Sequence, residues 1–388
     1  MKTSQQKLIL VSTLIVIIIL PLFGSYIAWN ELPPGFSILA TTEMSRPSFN
    51  LPIFIILSLM FVSIFSFILF PHFFGFKKHD SKKSPPKKLN ENHRSLPLWF
   101  WFGAVLSFSC WLIMWGQFSV LGSALYYTFV PLWWGFILFL DGILFQRNQG
   151  VSFISKHPKT LIISAITSVF GWYYFEYLNF FVLQNWYYPD LNLIASPFTY
   201  VWSALTFSTI WPSLFIWYNL LKTVPAIANK YRTGPILDLS PKLKIITGLI
   251  GCLICVITSI YADLFFWMVW LGPLIVVSTT LSLLKIYTPF SSIKSGDWSR
   301  CLLMGLATLF NGFFWEMWNF WSSPNNPNYW KYNLPYIQEF LVFEMPILGF
   351  SGYIFFGSVC WVLFILLGNL FNFSTNIDLV QDSNAKAY

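Results

Sequence analysis

The chain has 388 residues, of which 56 % are hydrophobic and only 10 % are charged. A soluble globule of this size needs more polar side chains on its surface, so the composition excludes that class and predicts a multi-pass membrane protein in contact with the lipid bilayer. The formal net charge is +8, but the basic residues lie between apolar runs, where they set topology, so we predict no nucleic-acid partner.

The chain opens with an apolar run at 8–29, preceded by Lys2 and Lys7. The run is long and no small-residue cleavage site follows it, so we predict an uncleaved first span rather than a signal peptide. A second span is predicted at 51–70. The strongly basic linker at 77–97 is typical of a solvated cytoplasmic loop.

Eight further apolar runs follow, which predicts an all-α fold, a polytopic membrane helical bundle of about ten transmembrane helices. With the basic linker in the cytoplasm, only Arg46 and Lys331 of the 23 basic residues fall outside. This distribution obeys the positive-inside rule and places both termini in the cytoplasm. The predicted limits of the eight runs are 98–115, 126–144, 160–183, 198–221, 245–261, 266–284, 301–321 and 340–368.

Two of these runs carry the same motif, a glycine followed by aromatic residues, a glutamate, two residues, an asparagine and a phenylalanine. The motif occupies 171–180 and again 312–320. It predicts two tandem parallel four-helix repeats after an N-terminal helix pair, since four spans per unit make both units insert in the same direction. The predicted division is a transmembrane pair at 1–76, a basic linker at 77–97, repeat 1 at 98–222, a cytoplasmic linker at 223–244, repeat 2 at 245–368 and a polar tail at 369–388.

Carboxylates inside apolar runs are the strongest functional signal. At a helix centre such a group costs about 2.5–3.5 kcal/mol, so its default interpretation is functional. An asparagine three residues after a glutamate lies on the same helix face. The candidate catalytic residues are Glu176, Glu316, Glu339 and Glu344, of which the last two are expected to begin the final span. The candidate substrate-binding residues are Asn179, Asn319, Trp186, Trp315, Trp318, Trp330 and Tyr332.

No metal or other cofactor is expected at this site. All four histidines fall in or beside predicted cytoplasmic loops, so they offer no intramembrane ligand cluster for iron, haem or zinc. The five cysteines all lie in apolar runs and are expected to be buried small hydrophobic residues rather than disulfides.

The motif at 312–320, with the segment 343–350, resembles an uncharacterised family of aromatic-rich bacterial polytopic membrane proteins, which implies the bacterial inner membrane. The order Trp315-Glu316, Trp330-Lys331-Tyr332 and then Glu339 is locally similar to the integral-membrane lycopene cyclase domain, itself a tandem pair of helical units. The first repeat has Thr199-Tyr200 where that domain carries paired glutamates. The similarity implies a shared helical scaffold and a hydrophobic or amphipathic small-molecule partner, such as an isoprenoid or other lipid.

Three hypotheses follow from these patterns. The first is a metal-independent acid/base enzyme or binding protein for an isoprenoid or other lipid, the enzyme being of the cyclase or isomerase type. The second is a proton-coupled transporter or permease with its site between the two repeats. The third is a non-catalytic membrane scaffold, in which the Glu and Asn side chains only lock the repeats together by hydrogen bonds.

Overall fold

The computed structural model describes residues 2–31, 39–77 and 94–380. Within these residues the chain is an all-α polytopic helical bundle with four two-residue strands. The long helices are α1 (Lys2–Trp29), α2 (Leu51–Leu69), α3 (Leu98–Gly116), α4 (Phe129–Arg147), α6 (Pro158–Leu178), α7 (Phe198–Phe207), α8 (Ile210–Lys222), α10 (Pro241–Ile260), α12 (Leu271–Leu283), α13 (Ser299–Asn319) and α14 (Phe350–Phe371). Single helical turns form α5 (Phe153–Lys156), α9 (Pro225–Ala228) and α11 (Ala262–Phe265).

Eight helical segments in the described part of the chain are long and apolar enough to cross a membrane, judged by length and composition. Two of the ten predicted spans are not among them. One is α13, which has 21 residues but also carries the motif's polar side chains. The other was predicted as one helix at 198–221 and is instead divided into α7 and α8. Pro212 explains the division, because it has no N–H for the carbonyl of Ser208 and so interrupts the helical hydrogen bonds there.

The final span also differs from its prediction. The helix was expected from 340 but begins at Phe350, because residues 341–346 form an antiparallel hairpin of β3 (Leu341–Val342) and β4 (Met345–Pro346). Glu339 and Glu344 therefore precede the helix and do not lie in its first turn. The positive φ angles of Phe340 and Phe343, both 59°, are incompatible with a continuous helix here.

The two predicted repeats surround a common centre. Helices α6, α8, α13 and α14 form a closed ring in which α6 packs on α8, α8 on α13, α13 on α14 and α14 on α6. The pair α3 and α4 flanks α8, and the pair α10 and α12 flanks α14. In the first pair Gly103 permits the close approach, because a Cβ there would lie 2.5 Å from the carbonyl oxygen of Gly135.

A short strand pair joins the repeats at the end of the bundle where α6 and α13 finish, which we call the motif end. Strand β1 (Trp186–Tyr187) pairs antiparallel with β2 (Lys331–Tyr332), and Tyr187 lies opposite Lys331. When Trp186 is aligned with Trp330, Tyr187 and Lys331 are equivalent positions of the two repeats. Each of these residues thus faces its own equivalent in the other repeat, as a twofold axis along the bundle requires.

At the opposite end, which we call the basic end, the chain after α14 folds back onto the bundle. Asp378 binds Lys222 Nζ at 2.8 Å and Arg300 Nε at 3.0 Å, and accepts a hydrogen bond from Tyr218 Oη at 2.6 Å. Asn219 holds the backbone on either side of Asp378 through two hydrogen bonds. Burial alone would raise the pKa of Asp378, but the attraction of Lys222 and Arg300 outweighs it and lowers the pKa below its usual range.

Candidate functional site

The two motif glutamates are both completely buried, Glu176 on α6 and Glu316 on α13. Three residues later, Asn179, in the helical turn directly after α6, and Asn319, at the end of α13, are equally buried. The spacing of three places each pair on one helix face, as predicted, close to the motif end of the bundle.

Both asparagines hold the loop that follows them. The Nδ2 group of Asn179 donates to the carbonyl oxygen of Trp186 at 2.8 Å, and its Oδ1 accepts from the N–H of Trp186 at 3.2 Å. Asn319 makes the same two contacts with Trp330, at 2.7 and 3.0 Å. Each carboxamide is thus committed to backbone groups, and each fixes a tryptophan at an equivalent place in its repeat.

The carboxylate of Glu176 is surrounded by hydrogen-bond donors. Trp172 Nε1 donates at 2.7 Å and Trp186 Nε1 at 3.1 Å, and the hydroxyl of Tyr188 donates through a short hydrogen bond. Both oxygens receive at least one donor. Three aromatic side chains therefore hold one charged or polar group inside an apolar protein, the condition under which a buried carboxyl is tolerated.

Glu316 is satisfied on one side only. The hydroxyls of Tyr332, at 2.7 Å, and Tyr353 both donate to Oε1, and Trp330 Nε1 donates to the Tyr332 hydroxyl at 3.0 Å. Oε2 is buried and has no hydrogen-bond partner among the residues that the structure describes. The second repeat therefore retains an unused acceptor where the first has none.

A local exchange of side chains produces this difference. Aligned on the glutamates, Trp172 in the first repeat corresponds to Gly312 in the second. A Cβ at Gly312 would lie 2.6 Å from the ring of Tyr353. Because Gly312 has no side chain, the ring of Tyr353 on α14 fits beside it and reaches Glu316.

The aromatic donors of both glutamates line one shared cavity of about 350 Å³. Trp172, Trp186 and Tyr188 belong to its wall on one side, and Tyr332 and Tyr353 on the other. The remaining lining is mainly aromatic or aliphatic, with a few hydroxyl and amide groups. Its members include Phe129, Trp133, Phe207, Ile210, Phe266, Trp267, Trp270, Trp315, Trp330, Leu334, Ile337, Leu348, Phe355 and Phe356. The volume lies within the range of small-molecule sites, and the wall chemistry fits an apolar ligand.

Helix α2 forms the side of the cavity that faces the membrane. Leu57, Met60, Phe61 and Ile64 line the cavity and recur at the spacing of one helix face. The opposite face is exposed, with Leu59 at 65 %. A single helix therefore separates the cavity from the lipid on this side.

Nine of the predicted site residues lie at the cavity or directly behind its wall. Trp186, Trp315, Trp330 and Tyr332 line the cavity. Glu176, Glu316, Asn179, Asn319 and Trp318 are buried directly behind its wall, where Trp318 packs against Trp133 with ring centroids 5.0 Å apart.

The two remaining acids are placed elsewhere. Glu339 is exposed, and Glu344 accepts a hydrogen bond from Tyr329 Oη at 2.6 Å. The structure therefore brings Glu176 and Glu316 to one cavity wall but leaves Glu339 at the surface.

Sequence reasoning did not identify Trp172, Tyr188 or Tyr353 as site residues. Tyr188 could have been found, because it stands two residues after Trp186 as Tyr332 stands two after Trp330. Tyr353 has no such signal, since it comes from α14 and reaches Glu316 only through the space at Gly312. Burial and then the nearby carboxylates raise the pKa values of Tyr188 and Tyr332 well above their usual range, so both loop hydroxyls stay protonated donors.

Within the described ranges no group of three or more His, Cys, Asp or Glu side chains is arranged to hold a metal ion. No known family model matches the sequence, and no curated protein and no solved structure is significantly similar to the chain.

Proposed function

We propose that this protein binds an apolar small molecule, of the isoprenoid or lipid type, in the aromatic cavity between its repeats and performs acid/base chemistry on it. The observation that supports this most is the single cavity walled by the hydrogen-bond donors of two fully buried glutamates. A carboxyl group placed so deep in a membrane bundle is costly, and its duplication doubles that cost.

Glu316 is the working carboxylate in this proposal. Its Oε2 has no partner in the described structure, whereas Glu176 is fully hydrogen-bonded. Tyr332 and Tyr353 connect Glu316 to the cavity, so a proton leaving a bound molecule would pass through a tyrosine hydroxyl to the carboxylate. In the reverse direction, the tyrosine O–H bond breaks as the proton reaches the ligand, and the carboxyl proton of Glu316 restores the hydroxyl.

The test is expression in a host that makes linear polyisoprenoids, with comparison of the extracted lipids. Wild type should change the lipid profile, and Glu316→Gln or Tyr332→Phe should abolish the change. Tyr329→Phe is the matched control, because it also removes one hydroxyl bound to a glutamate, Glu344, but does not line the cavity. Identical lipid profiles from wild type and Glu316→Gln would refute the enzymatic part of the proposal.

A transporter is the second candidate, and the cavity's position between two repeats supports it. Against it, β1 and β2 tie the repeats together at the motif end, where a rocking motion would have to separate them. Proton-linked uptake into proteoliposomes that Glu316→Gln removes would favour transport over turnover.

We further propose that the basic end faces the cytoplasm of a bacterial inner membrane. Helices α4 and α8 end there at Arg147 and Lys222, and such residues are enriched on the cytoplasmic side. The substitutions Lys294→Cys and Lys331→Cys, made one at a time and labelled from outside intact cells, test the orientation. Only the cysteine at position 331 should react.

A further inference from the structure

An unusual arginine lies between α1 and α2 at the motif end. Only 8 % of the Arg46 side chain is exposed, and its Nη1 binds Asp263 Oδ1 at 2.7 Å. Its Nε and Nη2 groups are also buried, but neither has a hydrogen-bond partner in the described part of the chain. Buried donors are nearly always paired, so two unpartnered nitrogens on a buried guanidinium point to a ligand.

The two unpartnered nitrogens are adjacent. In a planar guanidinium the N–H groups of Nε and Nη2 point in parallel along one edge, which is the edge that binds carboxylate or phosphate through two hydrogen bonds. Asp263 occupies the other nitrogen, Nη1, and leaves this edge unoccupied. The arrangement therefore fits an anion with two oxygens presented side by side.

Three segments that surround Arg46 continue into the cavity wall. Its own segment leads into α2, whose inner face lines the cavity. Asp263 lies on α11, and the helical turn that follows supplies further lining residues. The loop that carries Leu334, a lining residue, is bound to the Arg46 segment by the hydrogen bond from Tyr336 N–H to the carbonyl oxygen of Pro47, at 3.2 Å. Arg46 does not itself line the cavity, but the three segments around it lead into the cavity wall.

We propose that Arg46 binds the anionic group of an amphiphile, a phosphate monoester or carboxylate, whose apolar part occupies the aromatic cavity. This inference rests on the proposed function and narrows its ligand class from apolar molecules in general to anionic amphiphiles. The motif end of the membrane interface is where a charged head group would remain while its chain enters the bundle.

Nearby acidic groups limit the affinity without blocking the site. Asp263 is 40 % exposed, so water screens its repulsion of a second anion. Glu43, three residues before Arg46, is directed toward the Tyr187 hydroxyl, 3.4 Å away. Removing the charge of Asp263 should therefore strengthen binding of an anion at Arg46.

The experiment measures binding of farnesol and of farnesyl monophosphate to the full-length protein in nanodiscs of phosphatidylcholine. Wild type should bind the monophosphate about tenfold more tightly than the alcohol, the effect of hydrogen bonds to one charged group. Arg46→Gln should remove this preference and leave the affinity for the alcohol unchanged. Lys331→Gln, which changes the other basic residue predicted for this side, should leave the preference intact.

Asp263→Asn should increase the affinity for the monophosphate, a gain that misfolding cannot produce. Equal affinities of wild type for the two compounds would overturn the inference and leave the proposed cavity function standing. Failure of both compounds to bind would overturn the proposed function itself. Inorganic phosphate at the same concentration should compete poorly, and competition as strong as that of farnesyl monophosphate would show a free-anion site instead of an amphiphile site.

Discussion

At the scale of single residues, the two motif glutamates occupy equivalent positions but are satisfied to different degrees. Glu176 receives hydrogen bonds from two indoles and a phenol on both oxygens. Glu316 receives two phenols on one oxygen, and its other oxygen is unpartnered in the described structure. The first glutamate is suited to holding the wall together, whereas the second retains an unpartnered oxygen that can take up a proton.

We expect glutamine substitutions to separate these roles. In Glu176→Gln an amide N–H₂ group would face an N–H or O–H donor, and an unsatisfied buried donor costs about 1–3 kcal/mol. In Glu316→Gln the amide can replace the unpartnered Oε2, so the loss of stability should be smaller. Thermal unfolding in detergent would show this order, and a larger loss for Glu316→Gln would contradict the assigned roles.

Sequence reasoning identified this pair because a repeated carboxylate in an apolar run is a local signal. It also placed Asn179 and Asn319 correctly beside the glutamates, but it could not show that both side chains are used by backbone groups of the following loop. Contacts such as Tyr353 with Glu316 connect distant parts of the chain. They depend on the packing of α13 on α14, which no periodicity reveals.

At the scale of elements, helix positions were predictable where an apolar run was uninterrupted, and unpredictable where proline or turn geometry intervened. Pro212 divides α7 from α8, and the hairpin ending at Pro346 delays α14. The most informative element is α2, which the sequence shows only as an apolar span. Its inner face lines the cavity, and its ends are fastened by hydrogen bonds, from Asn50 N–H to Tyr336 O at one end and from Tyr231 Oη to Ile68 O at the other.

We expect side chains on the inner face of α2 to limit the space for a ligand in the cavity. Met60→Trp would place an indole inside the cavity, because Met60 lines it, and should weaken farnesol binding about tenfold or more, since it excludes ligand volume. Leu59→Trp, on the neighbouring exposed face, is the matched control and should leave the affinity unchanged. Equal effects of the two substitutions would contradict the assignment of α2 to the cavity wall.

At the scale of the whole molecule, the two repeats are held together at both ends. The pair β1 and β2 joins them at the motif end, and the chain after α14 joins α8 to α13 at the basic end through Asp378. The cavity lies between these two connections and is lined by the central helices and α2. The duplication was predicted from the motifs, but the strand pairing and the returning tail required the coordinates, because both depend on contacts between distant segments.

The ion pairs of Asp378 should make the free energy of unfolding depend on pH in the acidic range. Folding lowers the pKa of Asp378, so its ion pairs stabilise the folded protein above about pH 4, which is the usual pKa of an aspartate in an unfolded chain. This contribution to the free energy of unfolding is lost as the pH falls through the lower pKa of the folded state. Asp378→Asn should lower the unfolding temperature at pH 7 and reduce its fall on acidification. Asp238→Asn, exposed in the segment before α10, is the control and should match wild type.

In the proposed function, one aromatic cavity between the repeats holds an apolar ligand against Tyr332 and Tyr353. Its most direct test is an experimental structure of the protein in nanodiscs with farnesyl monophosphate. We expect ligand density along Trp315 and Trp330, within hydrogen-bond distance of a tyrosine hydroxyl bound to Glu316. A cavity filled only by water or by repacked side chains, with the ligand absent or bound elsewhere, would contradict it.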